Sequence, residues 1–241
     1  MLVVLIAILG IFIYLKVQVA GDVNSNFNQT TRYTLGKYEL VRRILGMHSY
    51  GDARNAFLNT GDGGIVIEVV QAKGSTISDE IFNQFIENIK TVTGKSVLLY
   101  NTELISSKTL SDSDLEEVVS GYRRHAISGQ ANLFVIYAND FNRTGTEVAK
   151  TYKEFGIILS DKRLKEVTSQ YPNAFKEYVE STLLHEFGHQ LGMEHNDRNG
   201  CVMNEKVESP TSQGFFFGTF TQTQFCDFEL KQLNEIKASL Q

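Results

Sequence analysis

Three of the five histidines in this 241-residue chain fall in a single stretch, HEFGHQLGMEH, which runs from His185 to His195. His185 and His189 stand four apart, so on a helix their imidazoles share one face and can reach a common metal ion without distorting the backbone. Glu186 sits beside the first of them, where its carboxylate reaches a water on that metal rather than the metal itself. Gly192 follows three residues after His189, and glycine lets a helix stop and the chain turn sharply. That turn would return His195 as a third ligand. Three protein nitrogens leave one vertex of a tetrahedral zinc open to water, the arrangement of a catalytic rather than a structural site. A bare HExxH arises by chance, but the added glycine and third histidine at fixed offsets make a coincidence hard to sustain.

A site of this kind needs a helix held by burial of its other faces, and the sequence supplies one. A helix from about Asn173 to Leu191 carries Phe175, Val179, Leu183 and Leu184 for packing. Upstream, residues 65–70 (IVIEVV), 96–100 (SVLLY), 133–138 (LFVIYA) and 155–159 (FGIIL) read as strands. The first is rich in β-branched residues, and the third is nearly all apolar, as a parallel strand covered on both faces is; the fourth, short and interrupted by glycine, is placed near an edge. Between them, Ser78 starts a helix with Ile81, Phe82, Phe85, Ile86 and Ile89 at helical spacing, closed by Gly94. Ser113 and Glu116 suggest a capping box for a second, carrying Leu115, Val118, Val119 and Tyr122. His125 at its end reads as a cation favourably placed at a helix C-terminus, not as a catalyst. A last helix spans about Thr223 to Leu240, with Phe225, Phe228, Leu233 and Ile236 on its apolar side. Alternating strands and helices predict an α/β domain built on a right-handed, mostly parallel sheet.

The chain is ordinary in composition, with 42% hydrophobic and 21% charged residues. Its net charge of −5 and the lack of a basic stripe argue against a nucleic-acid partner. The N-terminus is the exception. Residues 2–15 (LVVLIAILGIFIYL) are apolar throughout and are followed by Lys16, which could snorkel. Counted through Ala20, the stretch approaches the roughly 20 residues that a membrane span requires. We read residues 1–20 as an uncleaved membrane anchor rather than a signal peptide, since no basic residue precedes the run and Gln18 occupies a position where cleavage wants a small side chain. Residues 21–62 then form a polar tether with a short helix near 38–48, whose His48 reads as a surface or core residue. Residues 63–241 form the domain.

The stretch from His185 to Met203 resembles the zinc-binding signature of the metzincin peptidases, and within them the archaemetzincins. Strand and helix order over about residues 64–240 fit the same family. The resemblance implies a three-layer domain with a mixed sheet of four to five strands and a peptide or protein substrate. It implies one catalytic zinc on His185, His189 and His195, Glu186 as general base, and Met203 as a hydrophobic floor beneath the metal. It also draws attention to Cys201 and Cys226, because archaemetzincins hold a second, structural zinc on four cysteines. Here Asn196 and Glu229 stand in two of those four positions, and two thiolates cannot close such a site, so the second zinc is expected to be absent. The remaining pair would suit a disulfide or remain as two free buried thiols. A disulfide would imply an extracytoplasmic catalytic domain, the alternatives being secretion or a cytoplasmic orientation. The strand near Gly156–Ser160 is the expected partner of an extended substrate. Phe215, Phe216 and Phe217 could line a side-chain pocket or fill core.

Overall fold

The computed structural model describes residues 2–20, 27, 31, 35, 38–45, 54–58, 63–125, 130–142, 145, 147–153, 155–207 and 222–239. Its centre is a five-stranded sheet in the order β2-β1-β4-β7-β6. The strands are β1 (Ile65–Ala72), β2 (Val97–Ile105), β4 (Ala131–Ala138), β6 (Ala149–Tyr152) and β7 (Gly156–Ser160). The first four in that order run parallel and β6 closes the sheet antiparallel to β7. A parallel pair, β3 (Thr109–Leu110) and β5 (Asp140–Phe141), stands apart. β1, β4 and β7 are buried along their whole length, which suits sequences that are apolar apart from Glu68, Gln71, Asn132 and Ser160.

Side chains alternate between two cores, as the pleat demands. Ile67, Val69, Leu133, Val135, Ile157 and Leu159 face one side, where α4 (Asp79–Thr93) and α7 (Phe175–Gln190) lie. Val70, Phe134, Ile136 and Ile158 face the other, against Leu115 and Val118 of α5 (Asp112–Tyr122). Helices on both faces of the sheet make a three-layer α/β domain. The remaining helices are α1 (Leu2–Ala20), α2 (Glu39–Leu45), α3 (Arg54–Leu58), α6 (Asp161–Val167) and α8 (Asp227–Ser239). α3 belongs to the core although the sequence around it is polar. Phe57 is buried and meets Phe187 edge to face at 5.3 Å between ring centroids. α7 is preceded by a 3-10 turn at Pro172–Ala174, so it begins two residues later than its sequence suggests.

Several expectations need correction. β7 is an interior strand, because β6 covers its outer side; the edge next to α7 is therefore β6, whose sequence AKTY carries no alternation. The capping box lies two residues earlier than read: Ser111 accepts from the Asp114 N–H and the Asp114 carboxylate accepts from the Ser111 N–H. α8 begins at Asp227, so Phe225 lies ahead of it. His125 lies past the end of α5, and its ring nitrogen Nδ1 is 2.9 Å from the buried Glu68 carboxylate of β1. That carboxylate also accepts the N–H groups of Arg124 and His125 and the side-chain amide of Asn132. His48 and Phe215–Phe217 lie outside the described residues. Among the described residues, no helix is long and apolar enough to cross a membrane.

Candidate metal centre

α7 owes its position to burial on all sides rather than to an amphipathic stripe. Residues from Tyr178 to Gln190 are all buried, among them Val179, Leu183, Leu184 and Phe187. Phe187 lies edge to face with both Phe57 and Phe85. A helix gripped this way cannot rotate, and its imidazoles inherit that rigidity. His185 and His189 are 0% and 1% exposed.

The helix ends as the glycine requires. The Leu191 N–H donates back to the carbonyls of Phe187 and Gly188, and Gly192 adopts φ 88°, a left-handed conformation that costs a side-chain-bearing residue about 1–2 kcal/mol. The Met193 N–H then donates to the Gly188 carbonyl, folding the chain back along the helix. This return brings His195 to the other two. Its Nε2 lies 3.2 Å from Nε2 of His185 and 3.1 Å from Nε2 of His189.

The outer nitrogens explain which way the rings present their lone pairs. Nδ1–H of His185 donates to the Val202 carbonyl at 2.7 Å, and Nδ1–H of His189 donates to the Met193 carbonyl at 2.9 Å. A neutral ring that donates through Nδ1 carries its lone pair on Nε2. The lone pairs of His185 and His189 thus turn towards His195 Nε2, and a cation set among the three nitrogens would draw all of them together. Nitrogens bound about 2.0–2.1 Å from a tetrahedral zinc stand about 3.3 Å apart, close to the spacing found. The residues therefore fit a zinc ion.

Glu186 projects from the same helix and is 1% exposed. Thr151 of β6 donates its hydroxyl to Glu186 Oε2 at 2.8 Å. Nothing in the sequence marks Thr151, since the contact depends on an edge strand that pattern alone does not reveal. Below the helix, Met203 is fully buried against Gly188, where an added Cβ would collide with the methionine sulfur. Glycine at 188 thus admits the methionine beneath the helix that carries His185 and His189.

Cys201 and Cys226 are joined in a disulfide between the loop before Met203 and the residue preceding α8. Their sulfurs and the Glu229 carboxylate lie within 4.8 Å of one another. The two residues that depart from the four-cysteine pattern touch: Asn196 Nδ2 donates to Glu229 Oε1 at 3.2 Å. Glu229 is fully buried and accepts, in addition, the N–H groups of Val202, Met203 and Cys226. The sequence shows Glu229 only as a missing cysteine, not as an acceptor of these groups.

No family model matches the chain, and no curated protein does. Among solved structures, it is similar to an archaemetzincin from Methanopyrus kandleri at 15% identity and a TM-score of 0.53, covering 73% of this chain and 97% of that one. It is also similar to the Archaeoglobus fulgidus archaemetzincin complexed with malonate, at 14% identity and a TM-score of 0.45 over 70% and 99% of the two chains. A third likeness is to a zinc-dependent peptidase from Methanocorpusculum labreanum, at 14% identity and 0.48 over 70% and 100%. On the M. kandleri likeness, the chain is archaemetzincin-like in fold.

Proposed function

We propose that the protein is a zinc-dependent peptidase. The observation that carries this reading is the convergence of three Nε2 atoms, two of them with the outer nitrogen donating to a carbonyl, beside a buried carboxylate on the same helix. His185, His189 and His195 would hold the metal as neutral imidazoles. Zinc, when bound, supplies Lewis-acid polarisation of the scissile carbonyl and makes water acidic enough to attack near neutral pH. Glu186 accepts a proton from the attacking water and passes it to the departing amine, acting first as base and then as acid. Thr151 holds one carboxylate oxygen by its hydroxyl, which fixes the rotamer in which the other can face the water. β6 rather than β7 is the strand along which an extended substrate would pair, because among the described residues β6 is the antiparallel edge of the sheet beside α7.

The location is part of the proposal. The exposed apolar side chains of α1, including Ile6, Leu9, Ile11, Ile13 and Val17, support anchoring at a membrane, although the helix spans only about 28 Å at about 1.5 Å per residue. The disulfide supports an extracytoplasmic catalytic domain. Deleting residues 1–20 should release the protein from a membrane fraction, and retention there would refute the anchor.

The function is tested by digesting a peptide library with the zinc-loaded protein, with and without chelator, beside Glu186→Gln. Cleavage that chelation abolishes, together with an E186Q protein that binds zinc and cuts nothing, is the expected result. Turnover by E186Q at the wild-type rate would overturn the mechanism, and a wild-type protein that carries no zinc would overturn the function.

A further inference from the structure

The carboxylate of Glu229 is the hub of the loop that backs the histidines. It lies in the first turn of α8, where the helix dipole favours a negative charge, and it is 0% exposed. Oε1 accepts from Met203 N–H at 2.6 Å and from Asn196 Nδ2 at 3.2 Å; Oε2 accepts from Val202 N–H at 3.1 Å and from Cys226 N–H at 2.9 Å. A buried carboxylate with four donors is stable where an unaccompanied one would not be.

Three of those four contacts lead towards the histidines. Val202 gives its N–H to Glu229 and offers its carbonyl to His185 Nδ1 at 2.7 Å, so one peptide neighbour ties the carboxylate to the ring. Met203 gives its N–H to Glu229, accepts the Asn196 N–H on its carbonyl at 2.8 Å, and packs its sulfur against Gly188. Asn196 directly follows His195 and is held to Glu229 by its side chain and to Met203 by its backbone. The disulfide fastens the same two segments covalently but touches none of the three imidazoles through a hydrogen bond among the described residues.

We infer that Glu229 is a positioning residue for the metal centre: by fixing residues 196, 202 and 203 it sets the orientation of His185 and His195, and hence the affinity for zinc. The inference rests on the reading of the three histidines as zinc ligands, not on the reaction that follows. Partners that orient ligating histidines from behind are worth about 10–100-fold in metal affinity.

The test is zinc affinity of the full chain by chelator competition, for wild type, Glu229→Gln and Asn196→Ala. Thermal unfolding of the metal-free proteins is measured in parallel, and thiols are titrated to confirm that the disulfide is intact. Glutamine keeps the shape but turns an amide NH2 towards two N–H donors, so E229Q should lose about 10–100-fold in zinc affinity. N196A removes the side-chain arm from Glu229 to the residue after His195, together with the bond that its Oδ1 accepts from the Arg198 N–H, at a partly exposed position, and should lose several-fold. A folded E229Q that binds zinc as tightly as wild type, with only its metal-free unfolding temperature lowered, would show a purely structural role and overturn the inference. If E229Q fails to fold, unchanged zinc affinity in N196A overturns it instead. A wild-type protein that binds no zinc would sink the ligand assignment first, which separates the two failures.

Discussion

Removing the link between Cys201 and Cys226, by replacing both with serine, gives the sharpest stability prediction. The two cysteines are 25 residues apart in sequence. Closing a loop of that size removes conformational entropy from the unfolded chain amounting to about 3.5 kcal/mol at 25 °C. Residual structure in the unfolded state makes this an upper limit. For a chain of this size, each kcal/mol shifts the unfolding midpoint by roughly 2–4 °C, so the double variant should melt roughly 7–14 °C below wild type. The assay is thermal unfolding followed by far-ultraviolet circular dichroism, with chelator present so that zinc binding does not compensate for the loss. Wild type treated with a reductant should fall by the same amount, whereas the double variant should not respond to it. A wild-type protein whose two thiols are liberated by the reductant but whose midpoint moves by less than about 2 °C would refute the reasoning.

Three further outcomes follow from single contacts. Thr151→Val removes the hydroxyl that holds Glu186; kcat should fall about tenfold with KM and zinc content unchanged, Thr151→Ser should restore it, and equal rates for Val and Thr would refute the role. Gly188→Ala forces a methyl group into the Met203 sulfur; the overpacking costs about 1–3 kcal/mol, which outweighs the roughly 0.5–1 kcal/mol gained by removing a mid-helix glycine, so urea unfolding should show a net loss. Glu180 lies buried on α7, and this burial raises its pKa above the ordinary value of 4.5, opposed in part by Lys176. The folded state therefore binds more protons than the unfolded state just above pH 4.5, and stability falls as pH rises through that window. Glu180→Gln should flatten the fall and be the more stable protein at pH 7, as measured by urea midpoints across pH 4–7.

What could be read from residues alone was local. The i, i+4 histidines, the left-handed Gly192 and the apolar strands β1 and β4 follow from chain geometry acting over a few positions. The capping box shows the limit of such rules: Ser111 with Asp114 and Ser113 with Glu116 both satisfy the spacing, and only the backbone decides between them. β6 was illegible because four residues with no alternation carry no strand signal, and without it β7 reads as an edge. Thr151 and Glu229 acquire their roles from partners 35 and about 26–33 positions away. No window of sequence contains both ends of such a contact.

Tyr178, Phe187 and the two histidines on α7 share the same walls, so nothing short of dismantling the domain can pull those imidazoles apart. Slow heating should accordingly release the ion and collapse the tertiary structure in one event, with no intermediate that is folded yet demetallated. Gentle exchange of the ion at lower temperature must instead proceed from the side of His195, the least enclosed of the three rings and the only one carried by a loop.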